Sequence, residues 1–178
     1  SRGLGDVYKR QRHNKNKNTS DSAVCLNEFL NLEVNSVEEI RKMRQDESAN
    51  FIMSLQNWFL RRNFTSTKIC ISIGDIFYAD LGINYKPEFS YHHPVVILEK
   101  IGGMYLVVPV STTPDNIKNA FHPIDNPDGN KMMRKVYGND MGDKSDGFEK
   151  TGAILLSDIK VISAGRLISK KGKLKNIN

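Results

Sequence analysis

The chain has little cysteine, a single tryptophan and no long apolar run. Cys25 and Cys70 are the only 2 cysteines among 178 residues. Neither stands in a CxxC or CxxH spacing, which excludes a disulfide framework and the usual structural zinc motifs. Two lone thiols suit a reducing compartment, so the cytoplasm is the expected location. No apolar stretch approaches the ~20 residues that cross a bilayer. No apolar segment of roughly 7–15 residues follows the basic N-terminus either, so neither a membrane span nor a signal peptide is expected. The 4 histidines form no metal pattern: His92 and His93 have no carboxylate or cysteine at useful spacing, and His13 and His122 stand alone. No metal and no cofactor are expected.

Net charge is +6, and its placement is uneven. Residues 1–20 carry six Lys or Arg against Asp6 alone, and residues 166–178 carry five with no acid. The remainder is acidic on balance. A basic excess points to nucleic acid when it forms a face; at chain ends it is equally the mark of solvated tails, so charge alone decides nothing. Residues 1–20 read as a disordered tail, since RQRHNKNKNTS is polar and aperiodic. Gly3 to Gln11 also resembles translated sequencing-adapter DNA, a reading under which residues 1–11 are not native.

Residues 21–66 read as a helical arm. Ser36 followed by Glu39 is a capping-box signature, opening a stripe through Ile40, Met43, Phe51, Leu55, Trp58 and Phe59. The stripe lapses between Met43 and Phe51, which predicts two helices or one with a solvated middle. A shorter helix around Leu26, Phe29 and Leu30 precedes it. Trp58 and Phe59 either cap the core of the following domain or present an association face. From Lys68 the period becomes two, with Ile69, Ile71 and Ile73 alternating. Gly74-Asp75 leads into Ile76-Phe77-Tyr78-Ala79-Asp80-Leu81. The β-branched runs Pro94 to Leu98 and Tyr105 to Val110 flank the turn Ile101-Gly102-Gly103, and Ala153 to Leu156 is a further strand. Residues 67–178 therefore read as a small, mainly β domain. Its polar stretch 115–152 has few apolar anchors and reads as a long functional or mobile loop.

Four pieces in order resemble the MazF/PemK family of toxins: Gly74 to Leu81, Glu88-Phe89-Ser90-Tyr91-His92-His93-Pro94-Val95-Val96-Ile97, Val108-Pro109-Val110-Ser111-Thr112-Thr113, and Ala153 to Ile162. Gly165-Arg166-Leu167-Ile168 also fits. The resemblance implies an SH3-like β-barrel, usually a homodimer, held in check by a cognate antitoxin protein. It implies an endoribonuclease that cuts single-stranded RNA without metal by driving the ribose 2′-hydroxyl onto the adjacent phosphate. That chemistry needs a base for the 2′-hydroxyl, an acid for the leaving 5′-oxygen, and donors for the phosphoryl oxygens.

The pattern departs at one position. With Glu88 and Pro94 aligned, His93 stands where the family usually has Arg. Arg is a permanent bidentate cation, whereas His exchanges a proton near neutrality. His93 is thus either a general acid or base or the mark of a lost activity. Ser111 aligns with the family's Ser/Thr, and Thr112 follows it; such hydroxyls also commonly bond a turn backbone. Glu88 is expected to orient the loop or pair with a basic group, and Asp158 is a further catalytic candidate. Lys86, Tyr91, His92 and Lys118 are the expected RNA contacts, with Tyr91 offering a ring for base stacking. In an extended chain His92 points away from His93. The competing reading is a catalytically silent module that keeps the barrel and binds RNA or a protein.

Overall fold

The computed structural model describes residues 16–64 and 70–175. Most of the 1–20 tail, with the adapter-like segment, and Ile69 lie outside the described residues. The chain divides into two compact units, Ser1–Ser48 and Ala49–Asn178, so the boundary falls inside the second long helix rather than at residue 66. Of the described residues 37% are helical and 34% are in strands, which makes the protein mixed α/β rather than mainly β. No helix among them is long and apolar enough to cross a membrane.

The first unit is built on helix α1, Ala23–Lys42, which buries none of its residues. Its N-cap is Ser22, whose hydroxyl accepts from Cys25 N at 3.4 Å. Ser36 is not a cap: it lies inside α1 and donates to Glu33 O at 2.8 Å. The S-x-x-E spelling fails there because the preceding residues are already helical and leave no free N–H group to cap. α1 ends at Met43, whose ψ of 154° is extended. Helix α2, Gln45–Arg61, follows, with Asp46 and Glu47 in its first turn where the helix dipole favours acids.

The second unit holds all the strands among the described residues: β1 Asp75–Asp80, β2 His92–Ile101, β3 Met104–Ser111, β4 Ala120–Phe121, β5 Asn130–Val136, β6 Gly152–Leu155, β7 Lys160–Ser163 and β8 Leu167–Lys173. β1 starts after Gly74 at φ 82°. Gly102 and Gly103, at φ 53° and 90°, close the β2–β3 hairpin, the double left-handed turn whose twist matches its strands. Ile71 and Ile73 lie outside the strands, Ile71 packing against the core and Ile73 exposed.

β3 is shared. Its first half pairs with β7 (Leu106↔Val161) and its end with β6 (Val110↔Ile154). One path therefore runs β8-β1-β2-β3-β7, and another β4-β5-β6-β3. A flat five-strand path would set β7 and β8 roughly 19 Å apart, at ~4.8 Å per spacing. Yet only the 3₁₀ turn Ala164–Arg166 links them, and so short a link spans at most ~14 Å. The sheet must curl. It is not closed by hydrogen bonds into the expected barrel.

Two apolar clusters lie on opposite faces of β1–β3. Phe77, Ala79, Val95 and Ile97 belong to one, and Ile76, Val96, Val108 and Val110 to the other. Burial on both faces explains why these strands read as unbroken apolar runs rather than alternating ones. The 115–152 stretch is not a structureless loop. It contains helix α3, Pro114–Asn119, then β4, β5 and a 3₁₀ segment at Asn139–Lys144.

Candidate functional site

The end of β1–β2 separates the two adjacent histidines by strand alternation. Ala79 pairs with His93 and Asp80 with His92. His93 therefore shares a face with Ala79 and the first cluster, and His92 takes the opposite face.

His93 is half-buried, its ring 4.3 Å from that of Phe89. Burial pushes its pKa below the ordinary histidine value, and the neighbouring His92 and Lys160 push the same way. A hydrogen bond with the Ser90 backbone works against them. His93 therefore favours the neutral imidazole at pH 7, a form that can take a proton. Lys160, the first residue of β7, turns its ammonium into the same place. Its Nζ donates to Phe89 O at 3.0 Å and lies 3.9 Å from Glu88 Oε2. Glu88 is exposed, and its contact with this ammonium is long.

The β2–β3 register ends at Val95↔Pro109, two residues short of His93 and Ser111, which alternation along each strand turns to the same face of the sheet. Ser111 is buried. Its hydroxyl accepts from Asn116 Nδ2 at 2.9 Å and from Thr113 N at 3.2 Å, so it also holds the start of α3. Thr112 is exposed beside it, and Lys118 is exposed on α3. Asp158 lies in the 3₁₀ turn between β6 and β7, accepting from Ser157 Oγ at 2.8 Å. The side chain brought against Glu88 and Phe89 is Lys160, two residues further on. Sequence reasoning passed over Lys160 because it lies 71 positions from Phe89.

Among the expected RNA contacts, Lys86 is exposed in the β1–β2 loop. Tyr91 is half-buried at φ 66° and closes that loop, its N–H donating to Gly82 O at 2.7 Å and its carbonyl accepting from Leu81 N at 2.7 Å. His92 is not a surface contact. It is buried, stacked on Tyr78 at 5.8 Å, with Nε2 accepting from Asn57 Nδ2 at 2.9 Å. Its Nδ1 is buried without a partner. The His92 side chain completes the polar seam that docks α2 on the sheet rather than facing RNA.

That seam centres on Asp80. Its Oδ1 accepts from Ser54 Oγ at 2.8 Å and Gly82 N at 2.9 Å, and its Oδ2 from Asn57 Nδ2 at 3.3 Å. Arg61 Nη1 donates to Leu167 O at 3.0 Å and Arg166 Nη1 to Asp80 O at 3.1 Å. Beside these groups opens a cavity of about 540 Å³, lined in part by Trp58, Arg61, Arg62 and Arg166. Trp58 and Phe59 do not cap the core: both are about half exposed. Among the described residues no three His, Cys, Asp or Glu side chains converge as a metal site would require.

Neither family models nor curated proteins match this chain.

Proposed function

We propose that this chain is a MazF/PemK-type endoribonuclease that cleaves single-stranded RNA without metal by 2′-hydroxyl attack. The observation that carries the reading is the meeting of His93 and Lys160 around Phe89. In this scheme neutral His93 removes the 2′-hydroxyl proton, the oxygen attacks phosphorus, and the bond to the 5′-oxygen breaks. The leaving oxygen takes a proton from solvent, giving a 2′,3′-cyclic phosphate and a 5′-hydroxyl. The Lys160 ammonium holds the charge that grows on the phosphoryl oxygens. That division of labour answers the departure at position 93: the cation that the family's Arg would supply comes instead from β7.

Two features of the fold support the kinship. The path β8-β1-β2-β3-β7 curls, and its outer strands are joined by a single 3₁₀ turn, as in a small SH3-like barrel opened along one seam. The reading brings with it a homodimer and a cognate antitoxin protein as partner. The test is incubation of the purified protein with a long RNA in EDTA, followed by mapping of the ends. Cleavage with 5′-hydroxyl ends is expected. Activity that appears only with added Mg²⁺ or Mn²⁺ would sink the mechanism.

The alternative is a catalytically silent module that binds RNA or a protein. One observation favours it: the Ser111 hydroxyl is already engaged by Asn116 and Thr113. RNA bound but uncut in the same assay would select it.

A further inference from the structure

The cavity between α2 and the β7–β8 turn is remote in chemistry from the His93 cluster, and nothing in the cleavage scheme uses it. Its volume, about 540 Å³, falls in the ordinary ligand-pocket range of ~300–1,000 Å³. Its lining includes three arginines, Arg61, Arg62 and Arg166, against one acid, Asp80. The Asp80 carboxylate already accepts from Ser54, Asn57 and Gly82 N, so it faces the seam more than the cavity. Arg61 and Arg166 each spend Nη1 on backbone carbonyls, which anchors one end of each guanidinium at the cavity wall. Such planar forks match phosphate oxygens. Beside them stands a flat apolar surface: Trp58, with the Arg62 guanidinium 5.1 Å from its ring centre, and exposed Ile83. Indole and guanidinium faces are the surfaces on which bases stack.

We infer that this cavity binds a nucleotide, its phosphate on Arg61 and Arg166 and its base against Trp58, Arg62 and Ile83. An acidic peptide would satisfy the arginines but leave the aromatic wall without a planar partner. The nucleotide is either free or one residue of a single RNA strand, and the site does not depend on catalysis at His93.

Trp58 is the only tryptophan, so its fluorescence reports this cavity directly. The full chain is titrated with AMP, UMP, hexauridylate, inorganic phosphate and a hexaglutamate peptide. Saturable quenching by a mononucleotide supports a free nucleotide; quenching by hexauridylate alone supports a strand residue. Arg62 is exposed, and Arg62→Gln should weaken the effective ligand about fivefold or more, the usual worth of a lost stacking surface. Arg41→Gln removes the same charge from α1, where Arg41 pairs with Glu38, and should leave the titration unchanged. The inference is overturned if no nucleotide quenches, or if phosphate or hexaglutamate does so as well as any nucleotide. Equal weakening by the two substitutions would also overturn it.

Discussion

Replacing His93 tests whether this position moves a proton or only carries charge. His93→Ala removes a half-buried ring that packs 4.3 Å from Phe89. The lost ring contact costs ~0.5–1.5 kcal/mol beyond the area the ring buries, and the variant is expected to stay folded. If the imidazole is the base, kcat should nevertheless fall by ~10²–10⁴, the usual value of positioned acid–base catalysis. His93→Arg separates the two roles. It installs the Arg usual in the MazF/PemK family but sets a permanent cation where burial already disfavours charge and Lys160 adds another. Retained activity would mean that the position serves as a cation. Activity lost in both variants means that it exchanges a proton.

The pH dependence gives an independent reading. The folded pKa of His93 lies below its ordinary value, chiefly through burial, so the acid limb of the rate profile should bend below ~6.5. The sign for stability follows. An unfolded His93 binds a proton that the folded one resists, so its contribution is present above ~6.5 and is lost as pH falls through the folded value. His93→Ala should flatten that part of the stability curve. The assay is single-turnover cleavage of a defined oligonucleotide from pH 5 to pH 8, with circular dichroism confirming the fold. Wild-type rates from His93→Ala would refute the reasoning.

Other outcomes follow from the same contacts. Lys160→Met should slow cleavage by ~10²–10³, as loss of a donor to developing charge does, and should shift the acid bend upward because the ammonium depresses His93; a rate loss with an unmoved bend would separate Lys160 from His93. Ser54→Ala removes a buried donor to Asp80 and should cost ~1–3 kcal/mol in urea unfolding, whereas Ser36→Ala on exposed α1 should stay within ~0.5 kcal/mol. Phe77→Ala, at a fully buried site of the first cluster, should cost ~3–5 kcal/mol; a smaller loss would mean that the curled sheet repacks.

What the sequence made legible was local, and what it hid was assembled across the chain. The runs at β2 and β3 and the Gly102-Gly103 turn announce a hairpin because buried β-branched residues and left-handed glycines have few other uses. Strand alternation at His92-His93 predicted opposite faces, and the β1–β2 register confirms it. Thr113-Pro114-Asp115 was a readable helix start, with Pro114 at the first position of α3, yet the surrounding polar residues masked it. β5 escaped because Asn130-Lys131-Met132-Met133-Arg134-Lys135-Val136 buries only Val136, leaving no alternation to read. The site was harder still. Lys160 reaches Phe89 because β7 pairs with β3 at Val107, which no local pattern around Lys160 encodes. His92 was misplaced on the RNA surface for the same reason: its partner Asn57 stands 35 residues away on α2. An isolated β1–β2 end would leave Asp80 and His92 facing water. Docking of α2 turns them into a buried seam and shapes the arginine-lined cavity beside it. The arm that falls outside the family resemblance therefore changes the chemistry of the face opposite His93.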